Sequence, residues 1–214
     1  GHTVTLNIPG SNSNVALFKT VAGGTVKNVA TTGSVSGNEC VAAIAASMTG
    51  GSITGCANTA EISATSRYVG GIVGKMNGGT VENCYNKAVV STTRTRPVFL
   101  GGIVGNLNSS TATVKYCYNS GAINTTGKNA ASIVGWVTSG TVESCYYLEG
   151  THTAGMNSSS GEDLTVKKTD AEMKASDFAK LLGEAFMVKA GDYPALTWET
   201  PTAKVAFTIS PENA

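Results

Sequence analysis

Short apolar runs, each closed by glycine or asparagine, recur along the first two thirds of the chain. The pattern is easiest to follow from a pair of Thr-Val type: Thr25-Val26, Ser52-Ile53, Thr80-Val81, Thr113-Val114 and Thr141-Val142, at steps of 27, 28, 33 and 28 residues. Three positions after each Val or Ile stands Val29, Cys56, Cys84, Cys117 or Cys145. Nine positions before it stands Leu17, Ile44, Ile72 or Ile133. The fourth copy has Ile103 eleven positions before, so two residues are inserted around Asn108–Thr111. Six positions after the Cys site comes Val35, Ile62, Val90 or Ile123; in the fifth copy Thr151 stands there and the pattern decays.

Each copy therefore holds three apolar segments, as in Gly71-Ile72-Val73-Gly74, Thr80-Val81-Glu82-Asn83-Cys84-Tyr85 and Ala88-Val89-Val90-Ser91. Each is too short for a helix and is bounded by turn residues, which reads as a strand. A unit of this size cannot bury its own apolar face, whereas copies stacked in register can. The prediction is an all-β chain: a right-handed parallel β-helix, or solenoid, of about five coils. Equivalent residues form interior ladders, Leu17/Ile44/Ile72/Ile103/Ile133, Val26/Ile53/Val81/Val114/Val142, Val29/Cys56/Cys84/Cys117/Cys145 and Val35/Ile62/Val90/Ile123. Coils about 4.8 Å apart make a stack roughly 20–25 Å tall. The period is too short for a β-propeller, whose four-stranded blades need roughly 40 residues.

The segment Gly70-Gly71-Ile72-Val73-Gly74-Lys75-Met76-Asn77-Gly78-Gly79-Thr80-Val81-Glu82-Asn83-Cys84-Tyr85-Asn86 resembles the GLUG motif. Leu100–Asn119 and Ala130–Tyr146 repeat it with small changes. Val41–Asn58 is a looser copy with Ala42-Ala43 for the paired glycines, and Val15–Val29 resembles a first copy. The resemblance covers about residues 2–150. It implies a β-solenoid on a secreted or wall-attached bacterial protein, and it brings no catalytic residue. The motif is also found in non-catalytic regions of some IgA-cleaving metallopeptidases.

Composition sharpens this picture. Charged residues are 14% of the 214, and the net charge is +1. That argues against a nucleic-acid or anionic-membrane partner, since both need a basic surface. No apolar run approaches the roughly 18 residues of a membrane span, and no signal peptide is present. Both ends read as cut from a longer, exported protein. The expected organisation is an N-terminal strand cap over residues 1–14, a five-repeat solenoid over 15–150, a C-terminal cap over 151–200 and the start of a following β-domain or linker over 201–214. In the cap, Asp170 opens a helical pattern with Met173, Phe178, Leu181 and Leu182 on one face. Thr169 or Ser176 is its N-cap and Gly183 its stop. Tyr193, Leu196 and Trp198 are expected to pack over the last coil.

The candidate chemistry is sparse. The cysteines are not in CxxC spacing, which speaks against zinc; they read as buried thiols acting as small apolar side chains. Cys40 lies outside that ladder and aligns with Tyr68 and Phe99 as a packing substitute. Asn58, Asn86 and Asn119 are expected to stack at one turn and bond backbone amides and one another. Tyr85, Tyr118 and Tyr146 each follow a ladder cysteine, so alternation points them outward. They form the candidate binding stripe for a glycan or a host or cell-surface protein, unless the C-terminal segment covers them. Residues 1–162 hold no Asp and six Glu, and Glu82 and Glu143 sit two coils apart with Lys115 between. This is a weak glycosidase pair, and His2 and His152 are isolated.

The reading is a non-catalytic repeat module, with no metal or cofactor, serving as spacer or adhesive surface. It is expected at the cell surface or outside the cell, as a monomeric part of a longer chain. The alternatives are a carbohydrate-active, pectin-lyase-like β-helix and a substrate-recognition segment of a larger secreted protease.

Overall fold

Glycine and asparagine interrupt the chain so often that no strand of the second or third coil exceeds four residues. Each of these coils consists of five short strands rather than three. In the second coil they are Val41–Ala42, Ala45–Met48, Ser52–Thr54, Ala57–Asn58 and Glu61–Ala64. A computed structural model, which describes residues 1–160 and 162–199, shows these strands stacked in parallel on their equivalents one coil away. The result is a parallel β-solenoid of about five turns. The stretch 201–214, expected to begin a further β-domain, lies outside the described residues.

The register follows the repeat. Val26 pairs with Ile53, Ile53 with Val81, Val81 with Val114 and Val114 with Val142. Val35, Ile62, Val90 and Ile123 form a second column. Burial confirms both as interior, with Ile44, Ile72, Ile103 and Ile133 fully enclosed beside the four ladder cysteines. Leu17 departs from the expected ladder. The first coil is one residue shorter between Val15 and Phe18 than the second between Val41 and Ala45. Leu17 is therefore half-buried and packs against the cluster that holds Val35 and Ile62 instead. The insertion of the fourth coil is absorbed outward: Asn108, Ser110 and Thr111 are exposed and Ala112 resumes the core.

Both ends of the stack carry additional chain. The strand His2–Ile8 (β1) lies parallel to Val29–Val35 and adds a rung below the first coil. Above the fifth coil, Met156–Ser158 pairs with Val134–Val137 and Val166–Lys168 with Tyr146–Leu148. The solenoid thus runs on as a partial sixth rung to residue 168, beyond the boundary at 150 read from the repeat.

The asparagine column forms as expected, at the turn between the Cys and Val/Ile positions. Asn58 Nδ2 donates to Asn86 Oδ1 at 2.7 Å, and Asn86 Nδ2 to Asn119 Oδ1 at 2.7 Å. Each Nδ2 also donates to the carbonyl two residues on, at 2.9 Å in all three coils. Each Oδ1 accepts from the backbone N–H of that same residue. All three side chains are fully buried, and Thr31 begins the column by donating to Asn58 Oδ1 at 2.8 Å. The glycine pairs of the motif make room for it. A Cβ on Gly71 would sit 2.7 Å from Asn86 Cγ and 2.1 Å from the Gly102 carbonyl oxygen.

The thiols behave as apolar filling. Cys84, Cys117 and Cys145 each hold their S–H against the carbonyl two residues earlier, at 3.1, 3.2 and 3.3 Å, and all five cysteines are free. Burial pushes the Cys117 thiol well up. In the folded protein, Cys40 should be the thiol that reacts with a bulky disulfide reagent, the four ladder thiols reacting only on unfolding. The asparagine column carries a second prediction. Asn86→Ala removes bonds to four buried partners, and each buried polar group left short costs about 1–3 kcal/mol. Urea unfolding should show a loss of about 3 kcal/mol or more.

Candidate binding surfaces

The tyrosine stripe forms, but not as a surface. Tyr85, Tyr118 and Tyr146 occupy one outward column in register, and the Tyr85 and Tyr118 rings stack at 5.0 Å with 11° between planes. The C-terminal segment lies across them. Thr169 caps helix α1 (Asp170–Lys174) through a capping box with Glu172. The chain then breaks at Ala175, and α2 (Ser176–Leu182) runs to Gly183, whose φ of 92° ends it. Met173, Phe178 and Leu182 face the tyrosines and are buried, whereas Leu181 is 50% exposed on the outer side. Phe178 meets Tyr118 at 5.8 Å and Tyr146 at 5.3 Å, both edge-on.

The cap is therefore a lateral cover and not a plug on the last coil. Two short helices replace the single one expected, and Ser176 begins the second rather than capping it. Tyr118 Oη donates to the Pro194 carbonyl, Tyr85 Oη to a Glu199 carboxylate oxygen at 2.7 Å, and Trp198 Nε1 to the Gly55 carbonyl at 2.8 Å. Tyr118 is fully enclosed, Tyr85 is 4% exposed, and Tyr146 is half-buried. The assignment of Tyr85, Tyr118 and Tyr146 as a binding surface is corrected. An outward column of large rings is apolar area that the chain covers with its own helices, forming a third core cluster outside the coils.

A second aromatic column remains at the surface. At the corner preceding the paired glycines, Asn14, Cys40, Tyr68, Phe99 and Asn129 all take left-handed backbone, with φ between 49° and 65°. Tyr68 and Phe99 stack at 5.3 Å with 11° between planes, and Trp136 meets Phe99 at 6.4 Å and 54°. All three are half-buried. Trp136 comes from the neighbouring column, Thr20/Ser47/Lys75/Asn106/Trp136. The Arg67 guanidinium lies 5.0 Å and the Lys75 ammonium 5.1 Å from the Tyr68 ring centre, and Arg67 is held by Glu39 at 2.8 Å. Lys128 takes the place of Arg67 two coils on, next to Asn129, and the loop carrying Arg94 and Arg96 leads into Phe99. The corner thus joins aromatic rings to several cations and one nearby acid.

Left-handed backbone costs a side-chain-bearing residue about 1–2 kcal/mol, and asparagine bears it best. Asn14 and Asn129 mark the cheap solution at the two ends of this column. A ring stack returns about 0.5–1.5 kcal/mol, so folding energy alone gives little reason for Tyr68 and Phe99 over asparagine. The sequence reading aligned Tyr68 and Phe99 with Cys40 but took them as packing. It missed Trp136, whose column reaches the corner only through the coil's cross-section.

Glu82 and Glu143 are not brought together. Lys115 lies between Glu82 and Glu143 in one column and bridges Glu82 at 3.3 Å. Among the described residues no three His, Cys, Asp or Glu side chains converge as metal ligands, and no helix is long and apolar enough to cross a membrane.

No family model matches the chain, and no curated protein matches it. Among solved structures, a Bacteroides ovatus protein provisionally described as an immunoglobulin A1 protease is similar, with a TM-score of 0.60 and 22% identity. The match covers 81% of this chain and 57% of the other, so the chain spans little more than half of that structure's length. At this identity the likeness concerns the fold.

The cover carries its own pH dependence. Lys189, with Lys87 behind it, holds the Asp192 carboxyl down at about 2. A depressed carboxyl adds stability above its ordinary value of 3.8, lost as pH falls towards 2. The Asp192 side chain is 39% exposed, so that contribution is small. Burial pushes the Tyr85 and Tyr118 hydroxyls up; a raised phenol adds stability below about pH 10 that is lost as pH rises. In an alkaline titration followed by tyrosinate absorbance, Tyr85 and Tyr118 should ionise only together with unfolding. Replacement Tyr118→Ala should cost about 3–5 kcal/mol in urea unfolding.

Proposed function

We propose that this chain is a non-catalytic solenoid module of a larger secreted or cell-surface bacterial protein of GLUG type. It works as a spacer that presents an adhesive surface for glycans at the Tyr68–Phe99–Trp136 corner. The observation that carries this reading is the half-buried aromatic column set in backbone that favours asparagine, with Arg67 and Lys75 over its first ring. Aromatic area beside polar and cationic groups suits sugar rings, and the cations favour acidic sugars. The module is monomeric and uses no cofactor in this reading. A second reading, a substrate-recognition segment of a secreted protease, is favoured by the fold likeness to the Bacteroides ovatus protein; a His-Glu-x-x-His motif elsewhere in the parent chain would support it.

The test is a glycan array probed with the protein and with Tyr68→Asn/Phe99→Asn. Asparagine already occupies this column, so the fold should persist. Selective binding to acidic glycans, reduced at least about tenfold in the variant, is the expected result. Binding unchanged in the variant would remove the site from this corner, and absence of binding by either protein would leave a spacer alone.

A further inference from the structure

The partial sixth rung leaves a gap one strand wide. Met156–Ser158 covers Val134–Val137, and Val166–Lys168 covers Tyr146–Leu148. No strand among the described residues lies above Thr141-Val142-Glu143. A hollow of about 410 Å³ opens there, lined by Thr141, Val142, Met156, Ser158, Glu162 and Leu164. Leu164 is 51% exposed at its rim.

The coils below show what such a gap accepts. In each, the left-handed residue donates its N–H to the outer residue of the next coil: Asn28 to Thr54 O, Gly55 to Glu82 O, Asn83 to Lys115 O and Tyr116 to Glu143 O, at 3.2–3.3 Å. Ser144 is next in that series and has φ 49°. In the opposite sense, Ser52 N donates to Gly24 O and Thr80 N to Gly51 O; Gly140 O stands at the equivalent place at the top. The middle position of every coil is Val or Ile, stacked inward. The outer column runs Lys27, Thr54, Glu82, Lys115, Glu143, and the opposite charges of Glu82 and Lys115 pair across adjacent coils.

We infer that this gap is a strand-addition site for an extended segment of another protein. The segment lies parallel to Thr141–Glu143 and has the pattern Thr or Ser, then Val or Ile, then Lys or Arg. Its first N–H donates to Gly140 O and its third carbonyl accepts from Ser144 N. The branched side chain continues the interior ladder over Val142 beside Met156, and the cation pairs with Glu143. Unpaired strand edges recruit such segments, with main-chain bonds supplying affinity and alternate side chains specificity. A second copy of this chain fits less well. Its lower end carries β1 one rung below the first coil, on the sheet that ends in Val166–Lys168 at the top, while its own Thr25–Lys27 strand stays a rung back.

The probe is a capped peptide, Gly-Gly-Thr-Val-Lys-Asn-Val, copied from residues 23–29, titrated into the isotope-labelled protein and followed by amide NMR. Saturable shifts confined to residues 138–144 and 156–164, with Ser144 moving most and a dissociation constant on the order of a millimolar, are expected for so short a strand. Val→Asp in the peptide should abolish the shifts. Lys→Glu should weaken binding about tenfold, and Glu143→Lys in the protein should reverse that preference. Absent shifts, shifts elsewhere, or equal binding of the Asp peptide would overturn the proposal. Concentration-dependent sedimentation of the protein alone, with broadening of the same amides, would also overturn it, in favour of a second copy.

Discussion

The structure depends on coils stacking in register. Each coil is too small to enclose its own apolar residues, so Ile53, Val81 and Val114 are buried because each is stacked between the coils on either side. Alternation has a period of two, so a slip by one residue would turn that ladder outward and the tyrosines inward. The asparagine column opposes such a slip. Its bonds run both along the chain, to Ala60, Ala88 and Gly121, and between coils. Both sets close together only in one register, and the glycines at 71 and 102 are the space that this arrangement needs.

The same stacking makes aromatic columns, and two of them meet different fates. Tyr85 and Tyr118 stack within a few tenths of an ångström of the Tyr68–Phe99 spacing. The first pair is sealed under Met173, Phe178, Leu182 and Leu196, and its hydroxyls are satisfied by Pro194 and Glu199. The second pair stays half-buried, with cations against the Tyr68 ring. The side of the solenoid is thus divided between a face closed by the chain's own helices and a corner left open. The gap above Thr141–Glu143 adds a third kind of surface, made of backbone rather than rings.

What could be read in the sequence was whatever repeats. The inward ladders, the asparagine column, the capping role of β1, the cap at Thr169 and the stop at Gly183 all rest on spacing or local chemistry. The misreadings arose where one copy departs from the others or where distant chain meets. Leu17 moved because its coil is a residue short, and the coil boundary moved because Met156 and Val166 add strands that no repeat announces. Period-two alternation placed Tyr118 correctly on the outside of the coil, but it carries no information about a helix arriving from 60 residues further on. Within α2 it is Phe178, Ala179 and Leu182 that turn to the tyrosines, so Leu181 lies on the flank of the helix and stays exposed.

The C-terminal segment covers the side of the solenoid, and the coils do not need it as an end plug. A chain ending after Lys168 tests this directly, by circular dichroism and binding of an apolar dye. The expected result is a retained parallel-β spectrum, strong dye binding at the uncovered Tyr85–Tyr118 column, and dye binding that falls when both tyrosines become serine. A truncated chain that loses its β spectrum, or one that binds no more dye than the full chain, would contradict it.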